Sequence, residues 1–239
     1  MANPCGAVLV LFLLLLPACS EADPHPRTDQ GEISTCSSAS SYVYLSEQRQ
    51  VEKPSGATEQ QIRIEALYVP PSLLEMSAAG MINPMVPPVD MEVVRDGETV
   101  WVRGTAGNWI PEGELSGSVA GVHADPRDIS IPPPVLTPGH PIREALLDLL
   151  ESRGGVPSEV GGQAATEYVL GRSLVGQLPD APDFPSDWEV RWTVWLTPDG
   201  CDFLRVLQEL DMPGVRATSD LVVEATNISD ASIAVPPTD

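Results

Sequence analysis

Apolar and polar positions along the chain follow two periods. From Gln61 the order Gln-Ile-Arg-Ile-Glu alternates with period two and runs on into Ala66-Leu67-Tyr68-Val69, the pattern of a half-buried strand. Met91-Glu92-Val93-Val94 and Thr99-Val100-Trp101-Val102 flank Asp96-Gly97, which predicts a hairpin closed by an Asp-Gly turn. The clearest alternation places Trp188, Val190, Trp192, Val194 and Leu196 on one face, with Glu189, Arg191, Thr193 and Trp195 on the other. Thr197-Pro198-Asp199-Gly200 then turns the chain, Cys201 to Leu207 returns, and Leu221 to Ala225 supplies a last strand. The sum of these strands is a curved antiparallel sheet.

One segment switches to the helical period. Pro141 sits in its first turn, Ile142, Ala145, Leu146, Leu149 and Leu150 form one stripe, and Gly154-Gly155 ends it. Such a stripe has to be buried, and the sheet is the large apolar surface on offer, so the fold class is α+β with helix layered on sheet. The Pro-rich stretches Val69 to Val89 and Ile129 to Pro138 read as ordered but irregular loops, and no internal repeat is visible.

The N-terminus carries a different signal. Residues Ala7 to Leu16 are uninterrupted apolar positions, of export-signal length and too short to span a bilayer as a helix. Leu16-Pro17-Ala18-Cys19 follows at once and resembles the lipobox of bacterial lipoproteins, in which the cysteine is lipidated and becomes the mature N-terminus. The expected organisation is a signal peptide over 1–18, the lipidated Cys19 with a flexible tether over 19–40, and one domain over 41–239. The expected location is the outer face of the cell membrane, held by the lipid anchor, or secretion if the lipobox is not used. The tether reading rests on short, polar, turn-forming residues such as Asp23-Pro24-His25-Pro26.

Cysteine arithmetic follows from this. Cys5 leaves with the signal and Cys19 takes lipid, so Cys36 and Cys201 remain as a candidate disulfide in an oxidising compartment, a closure worth up to about 4–5 kcal/mol. The alternative is two unconnected thiols. The formal charge of -21 repels phosphates and anionic headgroups, which excludes nucleic acid as a partner and leaves acyl chains as the means of membrane attachment. No cofactor, metal site or catalytic set is expected. His25, His123 and His140 lie in tether or loop sequence without ligand-spaced companions, and no Gly-x-Ser-x-Gly elbow, phosphate loop or zinc pattern occurs. Met76, Met81, Met85 and Met91 are irregularly spaced, which reads as gap-filling or a greasy lid rather than a copper site.

The order of these elements resembles a family. Gly97-Glu98-Thr99-Val100-Trp101-Val102 with Asn108-Trp109, the Leu-rich helix, the run Gly161 to Val169 and the Val194 to Gly200 hairpin look like the LppX/LprG-type actinobacterial lipoproteins of the LolA-like superfamily, over about residues 40 to 237. The resemblance implies a curved antiparallel half-barrel whose concave face is covered by helices, with room between them for acyl chains. It departs from the family at Glu32 to Ser46, which is Ser-rich and shows no helical stripe. The expected ligand cavity is lined by Ile142, Leu146, Leu149, Leu150, Trp188, Val190, Trp192 and Val194. The implied function is non-enzymatic: binding of a hydrophobic ligand, a lipid or lipoglycan acyl chain, for transport or shielding. The alternative is an envelope protein-binding or scaffold module in which the same residues form a filled core.

Overall fold

A computed structural model describes residues 39–81, 88–104, 107–111, 132–226 and 233–236. The chain opens with β1 (Ser41–Glu52), β2 (Thr58–Val69), β3 (Leu73–Met81), β4 (Val89–Asp96), β5 (Thr99–Gly104) and β6 (Ile110–Pro111). A 3-10 turn at Pro134–Leu136 leads into helix α1 (Pro141–Glu151), followed by β7 (Val156–Val160), β8 (Gln163–Gly171) and the short helix α2 (Arg172–Val175). Strands β9 (Glu189–Leu196), β10 (Phe203–Met212) and β11 (Val215–Thr226) complete it.

All eleven strands join one open antiparallel sheet in the order β6-β5-β4-β3-β2-β1-β11-β10-β9-β8-β7. Two meanders therefore run outward in opposite directions from a central seam, where the first and last strands pair from Ser41↔Thr226 to Glu52↔Val215. Local connections dominate within each meander, and the seam is the one long-range pairing that makes them a single sheet. Bulges interrupt the register at Gln50/Val51 in β1 and at Phe203/Arg205 in β10, the irregularities by which long strands acquire bend and twist.

Several predicted strands form as expected. The Asp96-Gly97 turn closes β4 onto β5, with Asp96 opposite Thr99 and Gly97 at φ 59°. Residues 189–196 form a strand, with Trp188 just before it, and the return and last strands are longer than the alternation suggested. One expectation is corrected: Leu73–Met81, placed in an irregular loop, is a full strand between β2 and β4. The Ser-rich start of the domain, for which no element was expected, is β1, half of the central seam. Small residues explain the miss at β3: Ala78, Ala79 and Gly80 carry little hydrophobic signal, yet Gly80 is required, because a Cβ there would lie 2.1 Å from the Gln61 carbonyl oxygen.

One continuous apolar cluster occupies one face of the sheet from β5 to β8, and Leu146 and Leu150 of α1 belong to it. A smaller cluster of Val94, Trp101 and Ile233 lies apart from it, with Leu67, Val69, Leu73 and Trp109 packed around. Among the described residues, no helix is long and apolar enough to cross a membrane.

Candidate functional site

The face of the sheet that carries the main cluster is the candidate site. Of the eight side chains expected to line a cavity, five are core residues in one cluster: Leu146, Leu150, Val190, Trp192 and Val194 are 0–6% exposed. Leu149 and Trp188 are half-buried and pack against that cluster. Ile142 is half-exposed and stands apart from it. The helix position that goes inward beside Leu146 and Leu150 is Arg143, which the search for an apolar stripe passed over.

Arg143 organises a polar cluster at one end of the interior. Its Nη1 donates to the Val135 carbonyl at 2.5 Å, its Nη2 donates to the Cys201 carbonyl at 3.1 Å, and the guanidinium lies over the Phe203 ring, 5.2 Å from the centroid. The loop before α1, the helix and the start of β10 are thereby tied through one side chain. Asp202 faces it, accepting from the Tyr42 hydroxyl at 3.4 Å and from the Ala39 backbone N–H. Burial raises the Asp202 carboxyl above the usual carboxylate range, and the Arg143 charge works against that rise. The Tyr42 hydroxyl is itself held up by burial and by Asp202, so it remains the donor of the pair. Tyr68 stacks on Tyr42 at 6.4 Å between centroids and donates to the Pro71 carbonyl at 3.2 Å.

Some six residues further along β1, about 20 Å at the strand rise, the interior changes character. The inward positions of β1 after Tyr42 and Tyr44 are Ser46, Gln48 and Gln50, all buried. Register then lays a row across the sheet: Ile62 opposite Gln48, Gln48 opposite Ser219, Ser219 opposite Gln208, and Gln208 opposite Trp192. Gln48, Ser219, Gln208 and Trp192 are 3–7% exposed. The Gln48 and Gln208 Oε1 atoms and the Trp192 Nε1 find no hydrogen-bond partner among the described residues, and the same holds for Ser46 Oγ and Gln60 Nε2 close by.

Other expected positions resolve as follows. Met76 and Met91 are core residues of β3 and β4, in keeping with gap-filling, while Met85 lies outside the described residues. His140 caps α1, its Nδ1 accepting from the Ile142 N–H at 3.2 Å; His25 and His123 lie outside the described residues. Among the described residues no group of three or more His, Cys, Asp or Glu is placed to hold a metal ion. Cys201 sits half-buried in the turn before β10, whereas Cys19 and Cys36 lie outside the described residues. Trp195 faces away from the interior, donating to Glu167 at 3.0 Å beneath the Arg205 guanidinium, which Asp220 holds by two bonds of 2.8 and 2.6 Å.

Neither a protein-family model nor a curated protein sequence matches the chain. Solved structures similar to it include LprF from Mycobacterium bovis, at 13% identity and a TM-score of 0.42, covering 83% of this chain and 89% of that one. The Mycobacterium tuberculosis lipoprotein LppX is similar at 13% identity and a TM-score of 0.36, over 78% of this chain and 85% of that one. A LolA-superfamily protein from Nitrosomonas europaea is similar at 12% identity and a TM-score of 0.32, over 81% and 89% of the two chains.

Proposed function

We propose that this protein is a non-enzymatic, lipid-anchored protein of the outer face of the cell membrane that takes a hydrophobic ligand between the sheet and α1. The observation that carries the reading is the extent of the apolar interior. It runs from β5 to β8 along nine of the eleven strands, about 38 Å if laid flat, whereas an 11-residue helix is only about 16 Å long and 10 Å across. A sheet of this width curls on itself, and α1 then covers part of its concave side. Acyl chains entering there exchange water for side chains such as Leu146, Val194 and Leu221, at about 0.8 kcal/mol per buried CH₂. Cys19 supplies the anchor that keeps the carrier where a lipid cargo arises.

A second reading, a protein-binding or scaffold module with a filled core, is favoured by the near-complete burial of the same side chains, Leu146 and Val194 being 0% exposed. Native mass spectrometry with organic extraction on the mature protein, purified from an actinobacterial host, separates the two. A stoichiometric co-purifying lipid is the expected result, and a ligand-free mass under gentle conditions moves the assignment to the module.

The Cys36 to Cys201 disulfide belongs to the same proposal. It is supported by Cys201, a half-cystine, and by the Ala39 N–H bonded to Asp202, which brings the chain to within three residues of Cys36 beside the Cys201 turn. Non-reducing peptide mapping is expected to recover the Cys36–Cys201 pair, and two free thiols would overturn it.

A further inference from the structure

From the row Gln48, Ser219, Gln208 and Trp192 we infer that the interior recognises a neutral hydroxyl-bearing group of its ligand, such as the glycerol or sugar hydroxyls of an uncharged lipid. The inference rests on the carrier reading above and narrows it to a ligand class.

Four observations converge. On β11, β10 and β9 the row is polar where its flanks are not: Leu221, Val206, Val194, Ala217, Leu210 and Val190 are apolar and buried, while on β1 the flanking Ser46 and Gln50 continue the polar character. Three of its polar atoms, Gln48 Oε1, Gln208 Oε1 and Trp192 Nε1, have no partner among the described residues, although buried polar atoms in folded proteins nearly always find one. They are of both kinds. A glutamine amide presents an acceptor and a donor whichever way it is turned, and the Trp192 indole N–H only donates, so the complementary group must both accept and donate, as a hydroxyl does. Finally, the row and its flanking positions hold no ionisable side chain, so a carboxylate or phosphate would lose its water there without gaining a counter-charge. Arg143, the buried cation of the interior, serves the opposite end, by the Tyr42 and Phe203 positions.

Three probes with one acyl chain and different heads test this on the mature protein: 1-decanoylglycerol, methyl decanoate and decanoate, each titrated against the lipid-extracted chain by isothermal calorimetry. The native protein is expected to bind 1-decanoylglycerol at least about tenfold tighter than methyl decanoate, with decanoate the weakest of the three. In the Gln48→Leu/Gln208→Leu double variant that preference is expected to fall below about twofold while methyl decanoate binding persists, and a cooperative urea transition in the same sample establishes that the variant is folded. Equal affinity for the glycerol and methyl esters in the native protein, or a preference that survives the double substitution, overturns the polar-row inference and leaves the carrier reading standing. Absence of binding by all three probes overturns both.

Discussion

The two ends of the interior bury polar side chains in opposite ways. At the Tyr42 end Arg143, Tyr42, Asp202 and Tyr68 are all engaged: Arg143 donates to two carbonyls, Tyr42 donates to Asp202, and Tyr68 donates to Pro71. At the Gln48 end the carbonyl oxygens of Gln48 and Gln208 and the indole nitrogen of Trp192 have no partner among the described residues. Both ends are built on the same strands, with the same alternation, so secondary structure does not make the difference. What differs is whether a neighbouring element reaches in to complete the bonds. At the first end the 134–136 turn, α1 and the Cys201 turn do so; at the second, Gln48 Oε1, Gln208 Oε1 and Trp192 Nε1 meet no such partner among the described residues. A matched polar cluster is architecture that fixes how elements dock, while an unmatched one is a standing cost that stability alone would not retain.

The sharpest test of the contrast is Arg143→Met. Removing the guanidinium strands two buried carbonyls and leaves Asp202 facing a thioether in place of a cation, so we expect a loss of about 3 kcal/mol, read from urea denaturation of the mature protein. A loss below about 1 kcal/mol would mean that the docking of α1 does not depend on this cluster, and the distinction between the two ends would dissolve.

Gln208→Leu probes the other end and should move stability the opposite way. The amide oxygen has no partner to lose, and leucine fills a similar volume beside Trp192 and Ser219, so a gain of about 1 kcal/mol is expected in the same assay. A gain in stability coupled to a loss of ligand discrimination is the signature of a position kept for binding. A destabilisation comparable to that of Arg143→Met would instead place Gln208 in a structural network and remove the asymmetry.

These two ends also mark how much the sequence could tell. The β9 alternation and the α1 stripe were readable because Val190, Trp192, Val194, Leu146 and Leu150 obey the rule that apolar side chains face inward. Strand β1 breaks that rule in its second half: its inward positions are Ser46, Gln48 and Gln50, while Val43 on the other face is 38% exposed. A period-two pattern keyed to hydrophobicity reads such a strand in the wrong phase or passes over it. Arg143 was hidden for the related reason that a charge inside an apolar stripe looks like an interruption until the carbonyls it serves are seen. The Gln48 to Trp192 row exists only through register, since its members come from β1, β11, β10 and β9, and the β1–β11 seam joins residues more than 160 positions apart. No local pattern encodes that seam. The Leu16 to Cys19 run that resembles a lipobox is, by contrast, a wholly local signal, and it lies outside the described residues.

The smallest expected effect concerns pH at the matched end, where two groups titrate in opposite senses. His140 must be neutral to accept the Ile142 N–H at the start of α1, and burial lowers its basicity below the ordinary value of 6.5 while Asp180 pulls it back. Because the folded value is depressed, the cap contributes in full above the ordinary histidine range and is lost as pH falls through the lowered value. Asp202 is raised by burial from 3.8, so its contribution is present in acid and is lost as pH rises through the raised value. Acidification from pH 7 to 5 thus loosens the helix start, and protonation of Asp202, wherever its raised value falls, acts in the opposite sense. His140→Asn keeps an acceptor at every pH, so its stability relative to the native chain should grow by about 0.5–1 kcal/mol as pH falls over that interval. Asp202→Asn should show the reverse trend, gaining on the native chain as pH rises. Parallel pH profiles for the native protein and both variants would mean that neither group's ionisation is coupled to folding, and that the engaged end owes its cohesion to Arg143 and the tyrosines alone.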